Sequence, residues 1–507
     1  MGLYDLSFYD VINRNAQAFG NKLCWYEFDD GRKLTFAEYK AEVERLAAGM
    51  SQAGILKGDR IGVVGKNSLE FFLIYGAAAC LGAIVLPVNW RLSADEISFN
   101  LGDCEPRMVF ADAEFQPALA AKREELSFIQ SYYNLKDDSG SFSRFKSLTI
   151  EPGQLVPAEV GSEDGFVIIH TAAVAGRPRG ALLSHGNVLL ADLHFGYHME
   201  LTSQDVHLNL LPLFHVAGLF LATSTFHAGG MNLNISKFDG SLAAKLIQDS
   251  GVSLFFDFPP ILDTILQAAE TERCDISSLR AVIGLGTPET IQQFQSKTAG
   301  KYYVMYGQTE TSCLVSIGRY DDCPGSAGSI IMLGDVRLVD DYDQAVAMGD
   351  VGEITLKGPM VFQGYWGLKE DNRYTFRDGW HHTGDLGRVD SDGFLYYAGR
   401  KAEKELIKPG GENVYPSEVE KVILQHPAVE ETVVIGVPDP KWKEGIKAVC
   451  LLRDGETMAA NQLIQFVGER IARFKKPQYV EFVGELPRKE DGSIDREKVK
   501  SLYGKRE

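Results

Sequence analysis

Four short segments place hydroxyl, carboxylate or imidazole groups beside turns, in a form that could handle a phosphorylated nucleotide and an acid. Thr171 to Gly180 (TAAVAGRPRG) follows an apolar, strand-like run and precedes Ser184-His185-Gly186-Asn187 and a helix-like stretch. A loop punctuated by Gly176, Pro178 and Gly180 can turn backbone N–H groups toward phosphate, with the charge of Arg179 beside them. Taken alone, a plain turn after a strand reads equally well. Tyr306-Gly307-Gln308-Thr309-Glu310-Thr311 sets a hydroxyl and a carboxylate at a glycine turn, which suits phosphate and Mg²⁺. His382-Thr383-Gly384-Asp385 offers an acceptor carboxylate of the kind that grips ribose hydroxyls. Leu211 to Gly218 (LPLFHVAG) holds one histidine, His215, in an apolar stretch, where a satisfied core histidine is the commoner outcome. Each segment has a bland alternative in a capped turn or solvated loop. Their order along the chain carries more weight than any one of them.

The elements that must position these groups alternate. Strand-length apolar runs (60–65, 165–170, 207–211, 281–284) are separated by helix-like amphipathic stretches such as Phe36 to Gly54, the pattern of parallel α/β layers. Past residue 330, short alternating runs (329–339, 352–357, 393–397) predict a small antiparallel β element. After Gly399-Arg400 a helix-like 416–426, strand-like 431–437 and 446–452, and helix-like 460–473 make a compact α+β unit. The uncharged stretch from Phe71 to Val88 reads as a buried helix turning into a buried strand rather than a membrane span.

With 507 residues, the chain exceeds what one hydrophobic core usually serves, so two or more domains are expected. Its 45% hydrophobic and 24% charged residues place it among soluble globular proteins and exclude disordered or fibrous classes. Seven cysteines, an odd number without CxxC spacing, argue for reduced thiols, a cytoplasmic location and no zinc site. The opening residues show no basic segment followed by an apolar core, so no secretory signal is expected. From Arg400 onward 20 Lys and Arg meet 19 Asp and Glu, so the net charge of −18 resides in the preceding body. A near-neutral tail could receive a polyanionic partner, while the absence of a basic run or basic-aromatic stripe argues against nucleic acid.

Taken in order, Thr171 to Gly180, Tyr306 to Glu310, His381 to Asp385, Gly399-Arg400 and Gly410-Gly411-Glu412-Asn413 resemble the core motifs of the adenylate-forming superfamily. The resemblance runs from Leu34-Thr35-Phe36 to Leu486-Pro487-Arg488, and the GGEN segment with Ala472 to Pro477 (ARFKKP) looks more like acyl-CoA synthetases than luciferases or peptide-synthetase modules. It implies an α/β fold: a large N-terminal domain (1–399) of doubly wound α/β subdomains plus a small β-barrel, then a small mobile α+β lid domain (400–507). It also implies activation of a carboxylic acid by ATP and Mg²⁺ to an acyl-adenylate, then a swing of the C-terminal domain so that coenzyme A displaces AMP.

The resemblance also assigns residues. Asp385 and Arg400 would hold the ribose, with Tyr306 in the nucleotide site, and Gly286, Thr287 and Pro288 would line the adenine and acyl site. Thr171, Gly176, Arg179 and Gly180 belong to its phosphate loop. Thr309 would contact the α-phosphate, Glu310 would hold Mg²⁺ and His215 would sit by the carboxylate. Gly410 and Gly411 would flank the pantetheine tunnel, and the hinge would follow Arg400 near Ala402 and Glu403. An apolar pocket around Phe214, His215, Val216, Gly218 and the Gly284-Leu285-Gly286 segment points to a fatty, aryl or alicyclic acid.

Two departures stand out against the family pattern. Its phosphate loop reads Thr-Ser-Gly-Thr-Thr-Gly-x-Pro-Lys-Gly, whereas Ala172, Ala173, Val174 and Ala175 replace the Ser-Gly-Thr-Thr core here and Arg179 replaces the lysine. Near the C-terminus, where the family has a lysine that bridges carboxylate and α-phosphate, this chain has Ser493. A neutral hydroxyl cannot stabilise charge developing on phosphorus, so Arg179, Arg488 or Lys489 would have to compensate. An enzyme restricted to the thioester half-reaction, or an adenylation-impaired acyl-CoA or nucleotide binding protein, are the alternatives.

Overall fold

The protein's architecture comes from a computed structural model, which describes residues 5–136, 139–153, 155–174, 177–401, 406–412, 414–440, 442–489 and 494–505. Gly176, the hinge residues Ala402 and Glu403, Asn413 and Ser493 lie outside them, as do the side chains of Ala172 and Ala173.

Two large sheets form the body. One has seven strands, with five in parallel: Gly165–Val174, Ile84–Val88, Arg60–Val64, Met108–Ala111 and Ser131–Asn134. The other has nine, in which Leu254–Asp257, Ala281–Gly284 and Lys301–Tyr306 run parallel in adjacent places. Between the sheets lies an apolar layer of helices. The helix Leu69–Leu81 is buried at every residue and turns through left-handed Gly82 into the fully buried strand Ile84–Val88, so the uncharged stretch is a core element. Among the described residues, no helix is long and apolar enough to cross a membrane. Helix starts follow the sequence: Thr35 and Ser184 each accept a backbone N–H from the residue three positions on, which ends the preceding strand and begins Phe36–Gln52 and His185–His198.

The small barrel expected past residue 330 takes the form of a four-stranded antiparallel sheet built from Asp335–Val339, Gly352–Lys357, His381–Val389 and Leu395–Arg400. Its ladder is open among the described residues. From Ile407 on, buried apolar side chains gather in two clusters that contain no residue of the body. They pack the helices Pro416–Ile423 and Ala460–Gly468 on a sheet of Val429–Asp439, Lys443–Leu452 and Tyr479–Val483.

One local expectation is corrected. Thr171 to Gly180 is not an open loop: strand Gly165–Val174 continues to within two residues of strand Arg177–Ser184, and the two pair antiparallel as a hairpin. Ala172-Ala173-Val174 lacks the glycine and the self-bonding hydroxyls that favour loops, so the ladder extends through it.

Candidate active site

A cavity of about 670 Å³ opens where Leu254–Asp257, Ala281–Gly284 and Lys301–Tyr306 end against the four-stranded sheet and the C-terminal unit. Asp385 and Arg400 meet there because register makes them cross-strand partners. The Asp385 Oδ2 accepts hydrogen bonds from the Tyr306 hydroxyl at 2.8 Å and the Gln308 amide at 2.5 Å. Its Oδ1 lies 3.3 Å from the Arg400 Nε, yet it accepts no hydrogen bond among the described residues although the side chain is buried. A buried carboxylate oxygen left open this way fits a ribose hydroxyl.

The opposite wall is the segment Gly284-Leu285-Gly286. A β-carbon on Gly284 would lie 1.8 Å from the Asp257 carbonyl oxygen, so only glycine lets the strand end so close to its neighbour. The Gly286 N–H donates to the Tyr302 hydroxyl at 2.5 Å, and that hydroxyl donates to the Asp257 carboxylate at 2.9 Å. Burial lifts the Asp257 carboxyl to about 6. Gly286 and Pro288 line the cavity, but the Thr287 side chain does not: its hydroxyl caps the helix Pro288–Lys297, accepting from the Thr290 N–H. A Thr-Pro pair entering a helix is a capping signal first.

His215 is the N-cap of the helix Val216–His227, and its Nδ1 accepts from the Ala217 N–H at 3.2 Å. That bond leaves the proton on Nε2. Burial, together with the cations Lys408 and Arg91, holds the ring down near 4, so it presents a neutral N–H donor at working pH. Val216, Ala217, Phe256 and Phe258 give this end of the cavity an apolar wall.

Thr309 and Glu310 lie on a short 3-10 turn at the cavity floor. The Glu310 Oε1 accepts from the Tyr365 hydroxyl at 2.8 Å, while its Oε2 accepts no hydrogen bond among the described residues. One available carboxylate oxygen fits Mg²⁺, which is held mostly by water and substrate phosphates. Thr171 and Arg179 also line the cavity. The Arg179 guanidinium lies 3.9 Å from the Tyr365 ring centroid, with Nη1 3.2 Å from Asp371, and its buried Nε has no hydrogen-bond partner among the described residues. Gly180 is removed from the wall: its carbonyl accepts the Trp366 N–H at 2.7 Å within the sheet.

The C-terminal unit closes the cavity with residues that the motifs did not indicate. Lys408, Tyr415, Trp442, Lys443 and Glu444 all line it. Lys408 is exposed as a whole residue, yet desolvation of its ammonium by the crowded wall, then Arg400, lowers it to about 8, even with Asp385 and Glu444 nearby. Gly410 lies under Trp442, where a β-carbon would come within 2.6 Å of the ring, and Gly411 shares its turn. Across the junction Glu412 takes Arg91 and Asn89, while Glu96 takes the Lys475 ammonium at 2.7 Å and the Ala472 N–H at 3.1 Å. Arg488 is not among the lining residues and pairs with Glu431 at 2.6 Å. A signal for the missed residues existed in Leu406-Ile407-Lys408, a lysine closing an apolar pair before Pro-Gly-Gly, and in the lone tryptophan of a charged turn.

Just past Arg400, the Lys401 ammonium pairs with Glu353 at 2.9 Å, and the Gly384 N–H donates to the same carboxylate at 2.8 Å. Burial alone would raise this carboxyl, but His382, Lys401 and the Gly384 N–H hold it near 2. A depressed carboxyl contributes stability above its unfolded value of about 4.5, and that contribution disappears as pH falls toward 2. Glu353→Gln is therefore expected to lower Tm at neutral pH and to flatten the fall in Tm between about pH 4.5 and 2. An unaltered acid limb in thermal melts would remove this clamp from the account.

Comparison with known proteins agrees with this layout. Residues 12–366 match the family model described as AMP-binding enzyme, and residues 418–493 match its C-terminal domain. Indoleacetate–CoA ligase from Aromatoleum aromaticum is 33% identical over 488 residues, with 94% of each chain covered. A long-chain-fatty-acid–CoA ligase from Mycobacterium tuberculosis is 31% identical over 476 residues, covering 93% of each. Among solved structures, a double mutant of o-succinylbenzoate CoA synthetase from Bacillus subtilis, bound with its product analogue, superposes with a TM-score of 0.85 at 27% identity over 98% of each chain. The chain belongs to the AMP-binding enzyme family, within the adenylate-forming superfamily and with an acyl-CoA synthetase-like build.

Proposed function

We propose that this protein is an AMP-forming acid–CoA ligase acting on a fatty, aryl or alicyclic carboxylic acid in the cytoplasm. It uses ATP and Mg²⁺ to form an acyl-adenylate with release of pyrophosphate, then transfers the acyl group to the thiol of coenzyme A with release of AMP. The observation that carries this reading is that one cavity joins the open Asp385 oxygen to the apolar wall around His215. Asp385 and Arg400 hold the ribose, Gly286 and Pro288 border the base and acyl group, and Thr309 donates to the α-phosphate. Glu310 supplies a carboxylate oxygen to Mg²⁺, which screens phosphate charge when bound. The neutral His215 Nε2–H donates to the acid's carboxylate and orients it.

Phe256, Phe258, Val216 and Ala217 support a fatty, aryl or alicyclic acid, as do the acids in the names of the relatives. The division into residues 1–399 and 400–507, with the second part acting as a lid, is supported by the separate C-terminal clusters. A second reading, an enzyme limited to exchange between acyl-adenylate and thioester, is favoured by Ser493 and by the placement of Lys408 and Trp442 in the wall while Arg488 stays outside it.

A carboxylic-acid panel with ATP, Mg²⁺ and coenzyme A tests both readings. Pyrophosphate release together with thioester formation supports the full reaction; thioester formation from supplied acyl-adenylate alone supports the second. In the full reaction, Asp385→Ala is expected to raise the KM for ATP about tenfold, as ribose hydroxyls lose a charged acceptor. A wild-type KM would remove Asp385 from the nucleotide site.

A further inference from the structure

The turn between strands Val429–Asp439 and Lys443–Leu452 places a lysine where glycine would be at ease. Lys443 has φ +63°, the left-handed region that an L-residue occupies at an energetic cost and glycine does not. Its surroundings hold it there. The Trp442 N–H donates to Asp439 Oδ1 at 2.8 Å, and the Tyr479 hydroxyl donates to Asp439 Oδ2 at 2.8 Å. On the other side, Glu444 Oε2 accepts the Lys408 N–H at 2.7 Å. A strained conformation kept in place by its neighbours, at a residue lining a cavity, is a reason to look for a function of the side chain.

Lys443 lines the cavity beside Trp442 and Glu444, is exposed, and has no hydrogen bond or ion pair from its ammonium among the described residues. It belongs to the C-terminal unit, whereas the apolar acid wall of Phe256, Val216 and Ala217 belongs to the body. The charge therefore reaches the cavity beside Trp442, whose ring lies against Gly410, on the side that the C-terminal unit contributes.

We infer that Lys443 is a binding residue for the thiol substrate, donating from its ammonium to an amide carbonyl of the pantetheine arm as that arm passes Trp442. The inference rests on the acid–CoA ligase reading. The nearby buried carboxyl of Asp257 is already engaged by the Tyr302 hydroxyl and the Leu262 N–H, so it does not need the lysine as a partner. The strained backbone makes Lys443→Gly an unusually clean variant, because it removes the ammonium and relaxes the turn together.

The experiment uses the full-length enzyme with an acid it activates, following thioester formation at varied coenzyme A. Lys443→Gly is expected to keep or raise Tm while raising the KM for coenzyme A about tenfold, the lower end for one lost charge-assisted hydrogen bond, with a much smaller effect on kcat. Pantetheine in place of coenzyme A should show the same ratio, and Lys443→Arg should restore most of the affinity. An unchanged KM for coenzyme A overturns the inference, as does a rise confined to the KM for the acid or ATP. An effect lost with pantetheine overturns the amide contact. If the wild-type enzyme forms no thioester from any acid or supplied acyl-adenylate, it is the ligase reading that fails.

Discussion

Glu310→Gln is expected to reduce Mg²⁺-dependent pyrophosphate release by on the order of 10²-fold, with a higher Mg²⁺ concentration needed for half-maximal rate. The substitution is close to isosteric, and the turn that carries Glu310 is fixed by backbone bonds at Gln308 and Thr311 rather than by the carboxylate. What changes is charge. Glu310 Oε1 is taken by the Tyr365 hydroxyl, leaving Oε2 as the oxygen available to a cation at the cavity floor. An amide there is a neutral ligand, and Mg²⁺ strongly prefers anionic oxygen. The Arg179 guanidinium lies over the same tyrosine, so the variant also leaves that cation less compensated. Tyr365→Phe separates the effects: it frees Oε1 without removing the charge and should leave the Mg²⁺ dependence near wild type. Pyrophosphate release titrated with Mg²⁺ decides this; superimposable curves for Glu310→Gln and wild type would assign the metal to another carboxylate.

The parts of this site that were legible in the sequence are those fixed by local structure. Asp385 and Arg400 sit on adjacent strands and face each other by register, and Tyr306, Thr309 and Glu310 follow one strand into one turn. A short motif carries such geometry because the backbone does most of the positioning. Thr287 shows the opposite limit. Its place in a motif suggested a ligand role, but a threonine before a proline at a helix start is first a cap, and that local use of the hydroxyl takes it out of the cavity.

Residues contributed by packing between distant parts were not legible. Lys408, Trp442, Lys443 and Glu444 reach the cavity only because the C-terminal unit docks through Glu412 with Arg91 and through Lys475 with Glu96, contacts separated by more than 300 residues. Nothing periodic in either segment announces the other. The phosphate-loop segment differs in another way: its motif match was positional, and through Ala172-Ala173-Val174 the strand pairing continues as a hairpin, with Thr171 and Arg179 at the cavity.

Ser493→Lys is expected to raise the rate of acyl-adenylate formation by roughly tenfold or more, the lower end of what one charge-stabilising contact contributes. By the family resemblance Ser493 takes the position of a bridging lysine, and two cations suggested as substitutes are placed elsewhere in this arrangement: Arg488 is tied to Glu431, and Lys489 is exposed. Of those already in the wall, Arg179 is engaged with Tyr365 and Arg400 with Asp385, while the Lys408 ammonium has only the charges of Arg400, Asp385 and Glu444 near it. The thioester step should change little, because Lys408, Trp442 and Glu444 line the cavity whereas Arg488 and Lys489 do not. If Lys489 swings in during adenylation and compensates, the pattern reverses: Ser493→Lys adds little, and Lys489→Ala abolishes pyrophosphate release. Measuring pyrophosphate release, and separately thioester formation from supplied acyl-adenylate, in both variants distinguishes these cases. Should neither substitution move either half-reaction, residues 488–493 take no part in the chemistry, and Lys408 becomes the cation to remove next, since its lowered ammonium already lies inside the cavity.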